Sequence, residues 1–456
     1  MNKETLQTIY KQHQSRYMQE WETFLAFPSI SAMEAHQADC EACASWLVSH
    51  LQGMGMDATL LEKDAKPVVF ATYHVSDDAP TVLYYGHYDV QPVDPLELWE
   101  SEPFTPTRKG NRLYVRGAQD NKGQTFYVLK ALETLISQDA LAYNIKFMLE
   151  GEEEIGSPGL AEAAQAWKDT LQADILMVCD TCAPAPGIPA ISMGLRGIAY
   201  FEVELSGITS DLHSGAHGGM VKNPAVELAR LIATFHDEDG HITVEGFYDD
   251  VAHISEEDRA LANQFPFDTQ TYIEQFGVEP IGGEKAFNAI ESRGFRPTLE
   301  VNGFHSGYGG QGVKTIIPAQ ATAKFSARLV GHQDPEKSLE QLLTHTRKHA
   351  PKGLKMTIRH ATAGGPAILL SSQSPLIQHT RTILNQLGEH ETVLAWEGIS
   401  IPIVADLATL SGAEPLLVGF GLEEDRIHAP NESFDLDQFA LGFLYAGLFL
   451  STPFKR

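Results

Sequence analysis

Four carboxylates fall within five consecutive positions, Glu150, Glu152, Glu153 and Glu154, directly after the apolar segment Ile145-Lys146-Phe147-Met148-Leu149. A run of that composition reads as a buried strand, so the acidic cluster begins where a strand leaves the core. Like charges a few ångströms apart raise one another's pKa or need cations between them. A solvated acidic turn satisfies the same composition. The remainder of the chain separates the two readings.

Further strand-like segments punctuate the first half. Val68-Val69-Phe70 precedes Thr81-Val82-Leu83-Tyr84-Tyr85, which runs into Gly86-His87-Tyr88-Asp89. Leu113-Tyr114-Val115 leads through Arg116-Gly117-Ala118-Gln119-Asp120 into a helix whose apolar face is Phe126, Leu129, Leu132 and Ile136. Residues 175–179 are almost wholly apolar and are closed by Asp180; near the end, Leu416-Leu417-Val418-Gly419-Phe420 precedes a loop carrying His428. Continuous apolar strands alternating with helices predict a mainly parallel sheet covered on both faces. Candidate polar residues then stand past the carboxyl ends of strands, where ligands bind in open α/β sheets.

The periodicity changes near position 195. Residues 198–205 set Phe201, Val203 and Leu205 against Glu202 and Glu204, and residues 321–329 set Phe325, Ala327 and Leu329 against Lys324, Ser326 and Arg328. Period-two alternation means a sheet with one wet face. Between these strands lies a long segment rich in turn residues, 241–302. The predicted fold is therefore α/β: a mainly parallel-sheet domain formed by residues 1–194 and 363–456, with a smaller α/β domain, 195–362, inserted into it.

With 456 residues, 43% of them hydrophobic, two domains are the natural expectation. A net charge of -27 repels phosphate backbones and anionic lipid, which argues against nucleic acid and membrane surfaces as partners. The longest apolar run, 439–450, is shorter than the roughly 20 residues a bilayer requires, and the amino terminus lacks an apolar signal segment. A cytoplasmic location with reduced thiols is expected. The pairs Cys40/Cys43 and Cys179/Cys182 have zinc-site spacing, but Cys40 and Cys43 fall on the apolar face of a predicted helix with Trp46, Leu47 and Leu51, so burial accounts for them.

Together the segment ends offer His87, Asp89, Asp120, Glu153, Glu154, Asp180 and His428. Imidazole and carboxylate without thiolate suit zinc, manganese or cobalt. Five ligands for two ions need one shared carboxylate, and a pair of cations about 3.5–4 Å apart can polarise a carbonyl and activate water.

The segments Gly-His-Tyr-Asp-Val at 86–90, Arg-Gly-Ala-Gln-Asp-Asn-Lys-Gly at 116–123, Glu-Gly-Glu-Glu-Glu-Ile-Gly-Ser at 150–157 and Asp-Leu-His-Ser-Gly at 211–215 resemble the M20 metallopeptidases, in particular the carnosinase and cytosolic nonspecific dipeptidase branch. The resemblance continues in order through Lys314-Thr315-Ile316-Ile317-Pro318, Phe325-Ser326-Ala327-Arg328-Leu329 and Glu397-Gly398-Ile399-Ser400-Ile401-Pro402. It implies that Asp120 bridges two divalent ions, zinc first and manganese or cobalt as alternatives, with His87 and Asp180 on one and Glu154 and His428 on the other. Glu153 would be the general base toward a metal-bridging water, and Asp89 would orient His87. Arg328 would clamp a substrate carboxylate, His213 would stabilise the oxyanion from a neighbouring subunit, and Thr315 and Ser400 would be further substrate contacts. Residues 195–362 would then serve as lid and dimerisation domain of a homodimer acting on small peptides. Ile399 stands where this branch carries glycine, which bears on specificity.

The function expected is thus hydrolysis of dipeptides with a free carboxylate. The alternative is an N-acyl amino-acid amidohydrolase using the same metals. A non-catalytic metal-binding protein of the same fold has no use for Glu153.

Overall fold

A computed structural model describes residues 1–61, 66–398 and 400–454. Its largest sheet has eight strands in the order Asp57–Leu61, Val68–Tyr73, Asn144–Glu150, Thr81–His87, Ile175–Val178, Glu414–Leu417, Ala190–Ser192 and Val393–Ala395. The central pairings, from Asn144–Glu150 through Thr81–His87 and Ile175–Val178 to Glu414–Leu417, are all parallel. Their side chains are buried almost throughout, as the apolar runs predict. The predicted mainly parallel α/β architecture is present.

Helices cover this sheet. Lys3–Leu25, Lys122–Ser137 and Leu436–Ser451 pack on one another, with Trp21 and Phe439 4.6 Å apart between ring centroids. Pro402–Ser411 packs against strands Ile175–Val178 and Glu414–Leu417. Cys40 and Cys43 are fully buried on the helix Gln37–Gly53 beside Leu47 and Leu51.

A second, four-stranded antiparallel sheet runs in the order Thr298–Ser306, Gln320–Leu329, Gly197–Ser206 and Lys355–Ala363. Its pleat matches the sequence alternation. Phe201 and Phe325 stack at 4.7 Å on the inner face, while Glu202 and Lys324 pair across the outer one at 3.5 Å. Helices Pro224–Ile232 and Pro335–Lys348 close the apolar face.

Two features differ from the sequence reading. The strand Arg112–Tyr114 lies outside the large sheet, in a separate three-stranded sheet with Thr107–Lys109 and Ser433–Asp435. Only Leu113 of its three residues is buried, which suits a surface sheet and not a central parallel strand. The turn-rich segment 241–302 contains the helices Glu256–Ala262, Thr269–Phe276 and Ala289–Phe295, each with a side-chain N-cap, from Ser255, Asp268 and Asn288. Ala262, Ile290 and Phe295 join the large core, where Phe295 meets Trp396 at 5.1 Å; Ile242, Val244 and Phe247 join the smaller one.

The terminal helix Leu436–Ser451 starts at Asp435, whose carboxylate accepts hydrogen bonds from the backbone N–H groups of Asp437 at 2.8 Å and Gln438 at 3.2 Å. Asp435→Ala is expected to cost about 1 kcal/mol of stability. Urea unfolding should show this as a lower midpoint with an unchanged slope.

Candidate metal centre

The parallel centre of the large sheet delivers most of the candidate residues to one end. His87 is the last residue of its strand; Glu153 and Glu154 form a 3₁₀ turn three residues after Glu150; Asp180 follows Val178 by two positions. Asp120 arrives differently, from the turn before helix Lys122–Ser137, and His428 from a loop well beyond its strand. The sequence rule of strand ends therefore holds for His87, the glutamates and Asp180, but not for Asp120.

Asp120 stands between the two histidines. Its Oδ1 lies 3.2 Å from His87 Nε2 and its Oδ2 2.9 Å from His428 Nε2. Glu154 Oε2 is 3.3 Å from His428 Nε2, and Asp180 Oδ2 is 3.8 Å from His87 Nε2. Glu153 Oε2 approaches His87 Nε2 to 4.0 Å. His87, Asp120 and Glu154 each offer one ligand atom, all within 4.8 Å of one another.

Asp89, fully buried, ties two parts together. Its Oδ1 lies 3.3 Å and its backbone carbonyl 3.1 Å from His87 Nδ1, leaving Nε2 to face the cluster. The same carboxylate accepts from the N–H groups of Glu153 at 3.2 Å and Glu154 at 3.1 Å, fixing their turn.

The charges are strongly coupled. Burial pushes the Glu154 carboxyl up to about 7 and the Asp180 carboxyl up to about 6, with Asp120 reinforcing both. Burial likewise drives Glu153 well above the usual carboxylate range, aided by Asp180, Asp120 and Glu154 and opposed by His87. Burial pushes Asp120 the same way, but hydrogen bonds from His428 and His87 outweigh it and hold Asp120 below its ordinary value. Hydrogen bonds to Asp120 and Glu154 lift His428 to about 10. Four acids around two imidazoles make a field that draws positive charge, and this nitrogen-and-oxygen donor set fits borderline divalent cations.

A second group with ligand chemistry, Glu20, His50 and Glu133, is occupied by the chain itself. The fully buried Lys130 places Nζ 2.6 Å from Glu20, 2.8 Å from His50 Nε2 and 2.6 Å from Glu133. Burial and Lys130 lower His50 to about 4, which keeps its ring neutral as an acceptor.

The remaining candidates divide into two places. Arg328, half-buried on Gln320–Leu329, donates from Nη1 to Ser400 Oγ at 3.1 Å, and Ser400 in turn donates to the Arg196 carbonyl. His213 and Thr315 are exposed on the ribbon of Leu212–His213 with Ile316–Ile317. Among the described residues no hydrogen bond or ion pair joins either of them to the carboxylate cluster or to Arg328. Asp211 accepts from the Ala319 N–H and pairs with Lys314, as a loop-bonding role requires. Ile399 lies outside the described residues.

Two supports went unassigned in the sequence. Asn121 donates to Asp180 Oδ1 at 2.8 Å and to the Cys179 carbonyl at 2.7 Å, and Gln91 donates to Glu154 Oε2 at 2.8 Å. Their one sequence signal is adjacency, Asn121 to Asp120 and Gln91 to the His87–Val90 segment.

Comparison with known proteins follows this geometry. Residues 83–451 match the pattern of peptidase family M20/M25/M40. The chain is 30% identical to the Beta-Ala-His dipeptidase of Rattus norvegicus over 84% of its own length and 79% of that protein. It is 28% identical to the Cys-Gly metallodipeptidase of Candida albicans over 95% and 94%. Among solved structures, an M20 family metallo-carboxypeptidase from Sulfolobus solfataricus superimposes with a TM-score of 0.84 at 32% identity, covering 95% of this chain and 98% of that one. Human carnosine dipeptidase 1 superimposes at 0.82 and 26%, covering 98% of each. With its acidic and imidazole groups gathered at one end of a parallel sheet, the chain belongs to peptidase family M20/M25/M40 and is a hydrolase.

Proposed function

We propose that the chain is a two-metal dipeptidase that cleaves the peptide bond next to a free carboxylate. The observation that carries this reading is Asp120, within 3.2 Å of one histidine and 2.9 Å of the other, with an acid beside each. His87, Asp180 and Asp120 would hold one divalent ion, and Glu154, His428 and Asp120 the other. Zinc, manganese and cobalt all suit these donors. Such ions, when bound, polarise a carbonyl oxygen and lower the pKa of water.

The chain's own groups account for the other steps. Glu153 is the general base: its turn is pinned by Asp89, and among the described residues its carboxylate accepts no hydrogen bond. Its raised pKa suits a group that takes a proton from water and returns it to the leaving amine. Asp89 keeps the His87 tautomer. Arg328 and Ser400 would grip the substrate carboxylate, a guanidinium presenting paired donors for that purpose.

His213 and Thr315 would complete a neighbour's site in a homodimer built through residues 195–362. Supporting this are their exposure and the apolar side chains left uncovered on the same body, Val301, Phe304, Tyr308, Val313 and Met220. The two bodies would close over substrate, with 195–362 as the lid. Free thiols at Cys40, Cys43, Cys179 and Cys182 suit a cytoplasmic setting.

The similarity to a metallo-carboxypeptidase favours one second reading, release of a carboxyl-terminal residue from longer peptides. Chelator-treated protein reloaded with Zn²⁺, Mn²⁺ or Co²⁺ and given dipeptides, tripeptides and N-acetyl amino acids separates these readings. Hydrolysis of dipeptides alone is expected. Turnover confined to the tripeptides or the N-acetyl compounds overturns the proposal.

Glu153→Gln should leave metal content unchanged and lower kcat by about 10² to 10⁴; full activity in that variant removes the assigned base. Mixing inactive His213→Ala and Glu153→Gln subunits should restore about a quarter of wild-type activity if random pairing places His213 across the interface. A mixture that stays inactive while co-purification of differently tagged subunits shows exchanged dimers places His213 in its own subunit's site.

A further inference from the structure

Glu432 is 1% exposed and lies four residues after His428. Its Oε2 accepts from Arg116 Nη1 at 2.8 Å and the Gly117 N–H at 3.0 Å. Its Oε1 accepts from the N–H groups of Gln119 at 3.1 Å and Asp120 at 3.3 Å, and its backbone carbonyl from Val115 at 3.0 Å. One residue thus takes four of the backbone donors in the turn that presents Asp120. Both carboxylate oxygens are fully engaged there, so the side chain itself is no cation ligand.

The loop on the other side needs such a tie. Arg426, His428 and Asn431 adopt left-handed backbone conformations, with φ of 57°, 62° and 65°, which non-glycine residues keep only under external constraint. Asn431 supplies one constraint, donating to the Leu98 carbonyl and accepting from the Glu100 N–H, both at 2.8 Å. Glu432 supplies the next. Its partner Arg116 extends the tie, donating from Nη2 to the Pro92 carbonyl at 3.0 Å, next to the Gln91 that holds Glu154.

We propose that the buried Glu432–Arg116 pair is a positioning device that holds the loops of Asp120 and His428 in register and thereby sets divalent-cation affinity. The inference rests on the metal reading above. Glu432 touches neither substrate nor cation. It acts through the backbone of Asp120 and through the loop it shares with His428.

Cobalt titration of the chelator-treated full chain tests this, read by calorimetry and by the visible absorption of bound Co²⁺. Glu432→Gln keeps the side-chain size but turns an amide NH₂ toward N–H donors, so the turn must shift. Arg116→Lys keeps the charge and loses the fork that reaches Pro92. Each variant is expected to weaken Co²⁺ binding by about 10- to 100-fold and to alter the absorption bands. Excess Co²⁺ should restore most of kcat, which a general loss of stability does not predict. Wild-type affinity and spectrum in the folded variants overturn the proposal, as does failure of both variants to fold, since the pair then serves stability alone. Absence of Co²⁺ binding by the wild-type chain refutes the metal reading itself, a result distinct from either.

Discussion

Like-charge repulsion at one end of the large sheet governs the rest of the molecule. Asp120, Glu153, Glu154 and Asp180 each come within 4.0 Å of His87 or His428, partly shielded from water. Burial, reinforced by their mutual repulsion, raises the carboxyls of Glu153, Glu154 and Asp180 above the usual carboxylate range. A fold can hold that arrangement only if the backbone carrying it cannot relax. Parallel strands buried on both faces supply the rigidity for His87 and the glutamates, while Asp89, Asn121 and Glu432 supply it for the turns. A cation bound there would offset that repulsion.

The comparison with Glu20, His50 and Glu133 shows how the candidate metal centre differs from an ion cluster of the same composition. Both groups present carboxylates and an imidazole within ligand distance. In the second, Lys130 emerges from the middle of a helix and satisfies all three acceptors. No lysine or arginine side chain reaches the first among the described residues; the nearest basic chain in the sequence, Lys122, turns away to donate to the carbonyls of Phe24 and Phe27. Ligand composition alone does not separate these cases. The direction of one ammonium does.

Much of this was legible in the residues. The apolar runs predict the central strands, period-two alternation predicts the second sheet, and the ordered motifs name the residues of the cluster. What escaped depends on contacts between distant positions. Glu432 and Arg116 are 316 residues apart, and nothing local to either announces the pair. The strand at Arg112–Tyr114 resembled a core strand because three residues are too few to show a period. Asn121 lies within the 116–123 motif and Gln91 directly after the 86–90 motif, yet an amide has no distinctive spacing and its role depends on which carboxylate it meets.

The two hydrophobic cores do not follow the linear order of the chain. The chain passes between cores near 195–199, leaves the smaller core after Phe247, returns to it before Leu299, and crosses again near 363–368. Four passages, not two, therefore join the small sheet to the rest. A pivot made of two strands can swing freely, whereas one made of four must bend all of them together or let Phe295 slide on Trp396. Under the proposed closure, Arg328 can swing only through a narrow arc, and substitutions at Phe295 or Trp396 would alter its range without touching any residue of the acidic cluster.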